Sequence, residues 1–163
     1  MQPYFFPYIG YFKLINLCDE FIVYDNIKYT KKGWINRNNI LTNNQQKLFS
    51  IPLSKDSDFL NINQRKVSPS FEPYKILNLI TNSYKKTPEF QLIYPIIERC
   101  FNYKSKNLFD YIFYSIVEIC SYLDIDTKLH ISSEINIDHS LKSSDKVVLF
   151  CNKLNAQEYI NPI

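Results

Sequence analysis

Residues 25–37, DNIKYTKKGWINR, gather several chemically active side chains in one short stretch. Asp25 offers a carboxylate, Lys28, Lys31, Lys32 and Arg37 positive charge, Trp34 a stacking face, and Asn36 and Asn38 amides. A carboxylate, cations and one aromatic plane are what a pocket for a nucleotide or sugar phosphate uses. Asp25 also falls at the C-terminal end of a predicted strand, where open α/β sheets place ligand-binding groups. The same spacing would equally suit a charged hairpin built around a single structural Trp.

Other candidates are sparser. In LHISSEI, Ser132 and Ser133 follow a predicted strand, so their hydroxyls and backbone N–H groups could face a phosphate; a plain turn or helix cap would use them as well. His130 lies alone in an alternating strand and His139 alone in a polar loop, and neither has a Cys or Ser partner in sequence. Nothing combines His, Cys and carboxylate at metal-ligand spacing, and with Gly10 and Gly33 as the only glycines there is no glycine-rich phosphate loop. Cys18, Cys100, Cys120 and Cys151 sit far apart in apolar patterns, without a CxxC pair, and read as buried reduced thiols.

The elements that must position these residues follow from periodicity. Pro7 suits a first helical turn, and Ile9, Phe12, Leu14, Ile15 and Cys18 recur at helical spacing. FIVYD (21–25) reads as a buried strand. Residues 26–53 suggest an extended loop and two strands with NQQ as the turn, a β-hairpin insertion near 30–53. Polar residues 54–70 form a connecting loop, followed by helices over 71–86, 88–101 and 107–123. In the last, Leu108, Ile112, Ile116, Ile119 and Leu123 mark one apolar face. A strand running into a serine turn over 127–135, a helix over 140–154 and a final strand over 156–163 complete the pattern. This order predicts an α/β fold with a mostly parallel sheet and helices on both faces. A chain ending on an apolar strand leaves a sheet edge open, which predicts either a longer native domain or a homo-oligomer.

The 163 residues suit a single α/β domain over 1–163. The net charge of +3 is small and its lysines are scattered, which argues against nucleic acid and leaves an anionic small molecule as the expected partner. No apolar run approaches the roughly 20 residues a membrane span needs, and no signal peptide is visible, so a cytoplasmic protein is expected. The 16% aromatic share, mostly Tyr and Phe, suits half-wet pockets as well as cores.

Two resemblances add to this. PYIGYFKLI (7–15) resembles a segment of nucleotidylyltransferases and pantothenate-synthetase-like ligases, which implies a nucleotidylyltransferase or Rossmann-like fold. There a glycine, here Gly10, lets the helix approach the nucleotide. Tyr11 stands where a phosphate-touching histidine would be, and can donate a hydrogen bond but carry no positive charge. More specifically, MQPYFFPYIGYFKLIN, DEFIVYDNIKYTKKGWINRNNIL, the SSE turn and the closing YINPI together resemble the WbqC-like family of bacterial proteins, essentially end to end.

The family occurs among O-antigen and polysaccharide genes. The resemblance implies surface-polysaccharide biosynthesis, with aminoacyl (glycine) transfer to an amino-sugar nucleotide as the suggested reaction and no identified cofactor. Members begin slightly earlier, often carry Asp at the position of Asn26, and continue past the INPI segment, so the family's C-terminal region is expected to be missing. With the pocket chemistry, the resemblance assigns Asp25 as hydrogen-bonding or base group and Lys32 and Arg37 to phosphate, these three forming the catalytic set. Trp34 would stack on a base or sugar, with Asn36, Ser132, Ser133 and Asn161 also binding ligand. Gln2, Tyr8, Gly10 and Tyr11 would line the helix N-terminus. The alternative is a non-catalytic nucleotide-sugar or polysaccharide-binding module, or an inactive fragment of a longer enzyme.

Overall fold

In the computed structural model, residues 1–141 and 143–161 are described. The chain starts as an extended segment whose Met1 lies in parallel register beside the first strand, accepting from Tyr24 N at 2.8 Å and donating to Ile22 O at 2.6 Å. Pro7 precedes helix α1 (Ile9–Asn16), which turns its Tyr11, Phe12 and Ile15 into the core. Strand β1 (Glu20–Val23) alternates exposed and buried residues, with Phe21 and Val23 inward. It pairs in parallel with β4 (Lys128–Ile131), Val23 facing Ile131. The two strands are also tied below their start, where Thr127 Oγ1 donates to Ile15 O at 2.8 Å and Lys128 N to Asp19 O at 3.1 Å.

The predicted hairpin forms as β2 (Arg37–Thr42) and β3 (Gln45–Ser50), an antiparallel pair. Its turn is Asn43-Asn44 rather than NQQ. Both asparagines have positive φ, 51° and 60°, the conformation of the hairpin turn whose twist matches that of the strands.

Three helices fill the middle of the chain: α2 (Pro73–Tyr84), α3 (Phe90–Phe101) and α4 (Leu108–Tyr122). Pro73 opens α2, where its missing N–H is not needed. Asn107 caps α4 by accepting from Phe109 N at 2.8 Å and Asp110 N at 3.4 Å. Leu108, Ile112 and Ile116 are fully buried as the stripe requires, whereas Leu123, just past the helix end, is exposed. The core centres on Phe5, whose ring lies 5.1 Å from Phe101 and 5.4 Å from Tyr111; the Tyr111 hydroxyl donates to Phe101 O at 2.6 Å. Helix α5 (Ser143–Lys153) follows β4.

The architecture is mixed α/β, but the expected mostly parallel sheet is reduced to two strands among the described residues, and the hairpin forms a separate sheet. The strand expected over 156–163 is also absent from 156–161; residues 162 and 163 lie outside the described residues. Asn155, with φ 55°, turns the chain out of α5, and polar Gln157 and Glu158 break the apolar run, leaving Tyr159 and Ile160 exposed. No helix among the described residues is long and apolar enough to cross a membrane.

Candidate functional site: a carboxylate clamp at the sheet end

Asp25 lies just past the C-terminal end of β1 and is 2% exposed. Its Oδ1 accepts from Ser132 Oγ at 2.8 Å and Ser133 N at 2.9 Å; its Oδ2 accepts from Ser133 Oγ at 2.6 Å and Asn63 Nδ2 at 2.7 Å. The backbone is held as well, with Asp25 N donating to Ser132 Oγ at 3.2 Å and Asn63 N to Asp25 O at 3.0 Å. Burial alone would raise the carboxyl pKa. The hydrogen bonds from Ser133, Ser132 and Asn63 outweigh it and hold the group below its ordinary value, so Asp25 is a fixed anion.

The parallel register sets this geometry. Because Val23 faces Ile131, the residues just beyond both strands, Asp25 on one side and Ser132-Ser133 on the other, emerge at the same sheet end. Asn63 arrives from a 3-10 turn (Ile62–Gln64), anchored where Asn107 Nδ2 donates to Asn63 O at 2.6 Å.

Asn26 extends the network. Ser132 Oγ lies 2.7 Å from Asn26 Oδ1, so its single proton is shared between Asn26 and Asp25. Asn26 Nδ2 reaches His139 Nδ1 at 3.0 Å, and His139 Nε2 reaches Ile135 O at 3.0 Å. A carbonyl only accepts, so Nε2 carries the proton and Nδ1 accepts from Asn26. His130, expected to be isolated, lies 2.6 Å from Glu20 Oε2 on the neighbouring strand.

The other expected site residues fall into separate neighbourhoods. Lys31 pairs with Asp58 at 2.5 Å, and the Lys28 ammonium sits 4.7 Å from the Phe59 ring centroid, tying the 28–37 loop to the 54–61 loop. Arg37 Nε donates to Gly33 O at 2.6 Å, and its guanidinium lies 5.7 Å from the Trp34 ring centroid. Lys32 is exposed and Trp34 half exposed. Asn36 is buried, accepting from Tyr29 OH at 2.9 Å and donating to Ile51 O at 2.7 Å.

In the opening segment, Gln2 accepts from Tyr4 OH at 3.0 Å. Tyr8 is exposed, and its ring covers Gly10: a Cβ there would stand 2.2 Å from Tyr8 Cε2, so the missing side chain makes room for that ring. Tyr11 is buried against Tyr4, Phe12 and Phe21, and its hydroxyl has no hydrogen-bond partner among the described residues. Burial pushes its pKa up. Asn161 is exposed in the irregular tail. Burial also raises the thiols, Cys100 to about 12 and Cys120 to about 11.

Away from the clamp, two apolar hollows of about 290 and 270 Å³ flank Phe6, with Ile93 and Ile97 lining both. Phe6 sits in the left-handed region at φ 51°, pinned where Asn38 Nδ2 donates to Phe5 O and Phe6 O at 3.2 and 2.5 Å.

Asn26, Asn63, Asn107 and His139 were not among the residues expected to act together. Only Asn107 had a local signal, as a capping residue before an apolar stripe.

Fold and site together define a mixed α/β protein with a buried, fully bonded carboxylate at the C-terminal end of a parallel strand pair. Residues 2–163 match the model of the WbqC-like protein family, and the chain belongs to that family. It is 41% identical over 59 residues to the uncharacterized protein Rv1507c of Mycobacterium tuberculosis, an alignment spanning 36% of this chain and 26% of that relative. No solved structure matches.

Proposed function

We propose that this protein serves surface-polysaccharide biosynthesis by binding an activated, anionic amino sugar at the end of β1 and β4, where the sugar's amine attacks the carbonyl of an ATP-activated aminoacyl donor such as glycyl, forming the amide and releasing the donor's activating group. The observation that carries the reading is the clamp itself. Ser132, Ser133 and Asn63 hold Asp25 ionised at the sheet end that open α/β folds use for ligands. Both carboxylate oxygens are engaged, so Asp25 acts by fixing the serines and Asn26 in place, and a proton from the attacking amine needs another acceptor. His139 Nδ1 is engaged as well, accepting from Asn26 Nδ2, so the proton leaves to solvent.

Incubation with a nucleotide-linked amino sugar, glycine and ATP, followed by mass spectrometry, tests the reaction. A sugar heavier by one glycyl group supports it, and an unmodified sugar after long incubation removes the transfer step. The saturated carboxylate favours a second reading, recognition of a nucleotide sugar without turnover. That reading expects a rise in melting temperature with the sugar and no product, because ligand binding stabilises the folded state.

A further inference from the structure

Lys146 on α5 is 9% exposed, yet no hydrogen-bond acceptor or carboxylate partners its ammonium among the described residues. Its nitrogen lies 5.8 Å from the Tyr24 ring centroid and 6.0 Å from that of Phe150, and it is not sealed from solvent. These distances stand at the outer limit of about 6 Å for a useful cation–π contact. The aromatic faces therefore return little of the cost of fixing the side chain's rotamer and partly desolvating its ammonium, and the N–H donors stay unspent.

The location ties this cation to the clamp. Tyr24 directly precedes Asp25. The Phe150 ring lies 5.6 Å from Tyr24 and 6.2 Å from His139, which is hydrogen-bonded to Asn26. Residues 24–26, His139 and the Lys146 face of α5 thus meet at the C-terminal end of β1. A negative group arriving there would find a cation with a buried stem and an open tip.

We propose that Lys146 is the cationic contact of an anion site at this sheet end, taking a phosphate group, and specifically the diphosphate of an activated sugar. The sugar assignment rests on the proposed function; the phosphate assignment rests on Lys146 and its surroundings. It also moves the phosphate contact away from Lys32 and Arg37, whose loop is tied to residues 54–61.

Calorimetric titration with inorganic pyrophosphate, on the whole chain and its variants, is the test. Lys146→Met is expected to weaken pyrophosphate binding about tenfold or more, the loss of one charge-assisted hydrogen bond. It should leave the melting temperature of the unliganded protein about unchanged, since the packed stem is kept and the lost ammonium tip has no partner among the described residues. Lys32→Met should leave the affinity unchanged. Equal affinity in wild type and Lys146→Met, or no pyrophosphate binding by wild type, overturns the proposal.

Should Lys146→Met fail to fold, lysine acetylation of the wild-type protein reads the same contact. Pyrophosphate must protect Lys146 selectively, and unchanged labelling overturns the proposal. An amino-sugar nucleotide that binds wild type and Lys146→Met alike would remove this inference and leave the proposed function standing. Pyrophosphate bound through Lys146 without any amino-sugar binding would do the reverse.

Discussion

The two sheets of this protein are opposites. The hairpin β2–β3 is local in sequence, largely exposed, and follows the stretch richest in charged and aromatic groups. The parallel pair β1–β4 is short, joins distant segments, and carries at its end a network of serines, asparagines and one carboxylate. Chemical variety within a short stretch does not by itself bring side chains together. In the 28–37 loop the cations are spent on Asp58, Phe59, Gly33 and Trp34 or left in solvent. At the sheet end, modest residues converge and become a fixed anion.

Substitutions should separate the two regions. Asp25→Asn is expected to cost the most, about 2–4 kcal/mol in chemical denaturation at neutral pH, because buried donors lose a charged acceptor. A loss below that of Arg37→Ala would break the contrast. The cost should also depend on pH. The folded pKa of Asp25 lies below its ordinary value of 3.8, so its stabilisation is complete above that value and is lost as pH falls through the depressed folded pKa. The gap between wild type and Asp25→Asn should therefore narrow on acidification below about pH 4.

Ser133→Ala removes one hydroxyl from the clamp but leaves the Ser133 N–H bond, and should cost about 1–2 kcal/mol. Arg37→Ala, in the loop region, should cost about 1 kcal/mol or less in the same assay, since its partner Gly33 O belongs to a partly exposed turn. Asn44→Gly should move in the other direction, raising stability by about 0.5 kcal/mol, because glycine adopts the positive φ of the hairpin turn without a Cβ penalty.

The same contrast explains what the sequence revealed. Helices α1 to α5 and the hairpin strands are set by local periodicity, so they were legible, including the Leu108–Ile112–Ile116 stripe, whereas the hairpin turn falls at Asn43-Asn44 and not at NQQ. The separate strands β1 and β4 were legible too, and with them the placing of Asp25, Ser132 and Ser133 at strand ends. Which strand pairs with which is decided by long-range packing, so the meeting of Asp25 with both serines was not. Asn63 lies in a polar loop without periodicity, and His139 gained its partner only from the fold. The closing strand failed because Tyr159 and Ile160 are two apolar residues beside Gln157 and Glu158, too few to hold a sheet edge.

The sequence separation within the clamp also has a temporal side. Ser132 Oγ and Asp25 are 107 positions apart, and Ser133 and Asp25 are 108. Closing so large a loop carries an entropy cost that native contacts repay only once both ends are in place. During synthesis, Asp25 must wait for most of the chain to leave the ribosome, while the hairpin and α2 to α4 can form from contacts close in sequence. A nascent or damaged chain that stalls before residue 132 would carry a buried-type carboxylate with none of its serine donors.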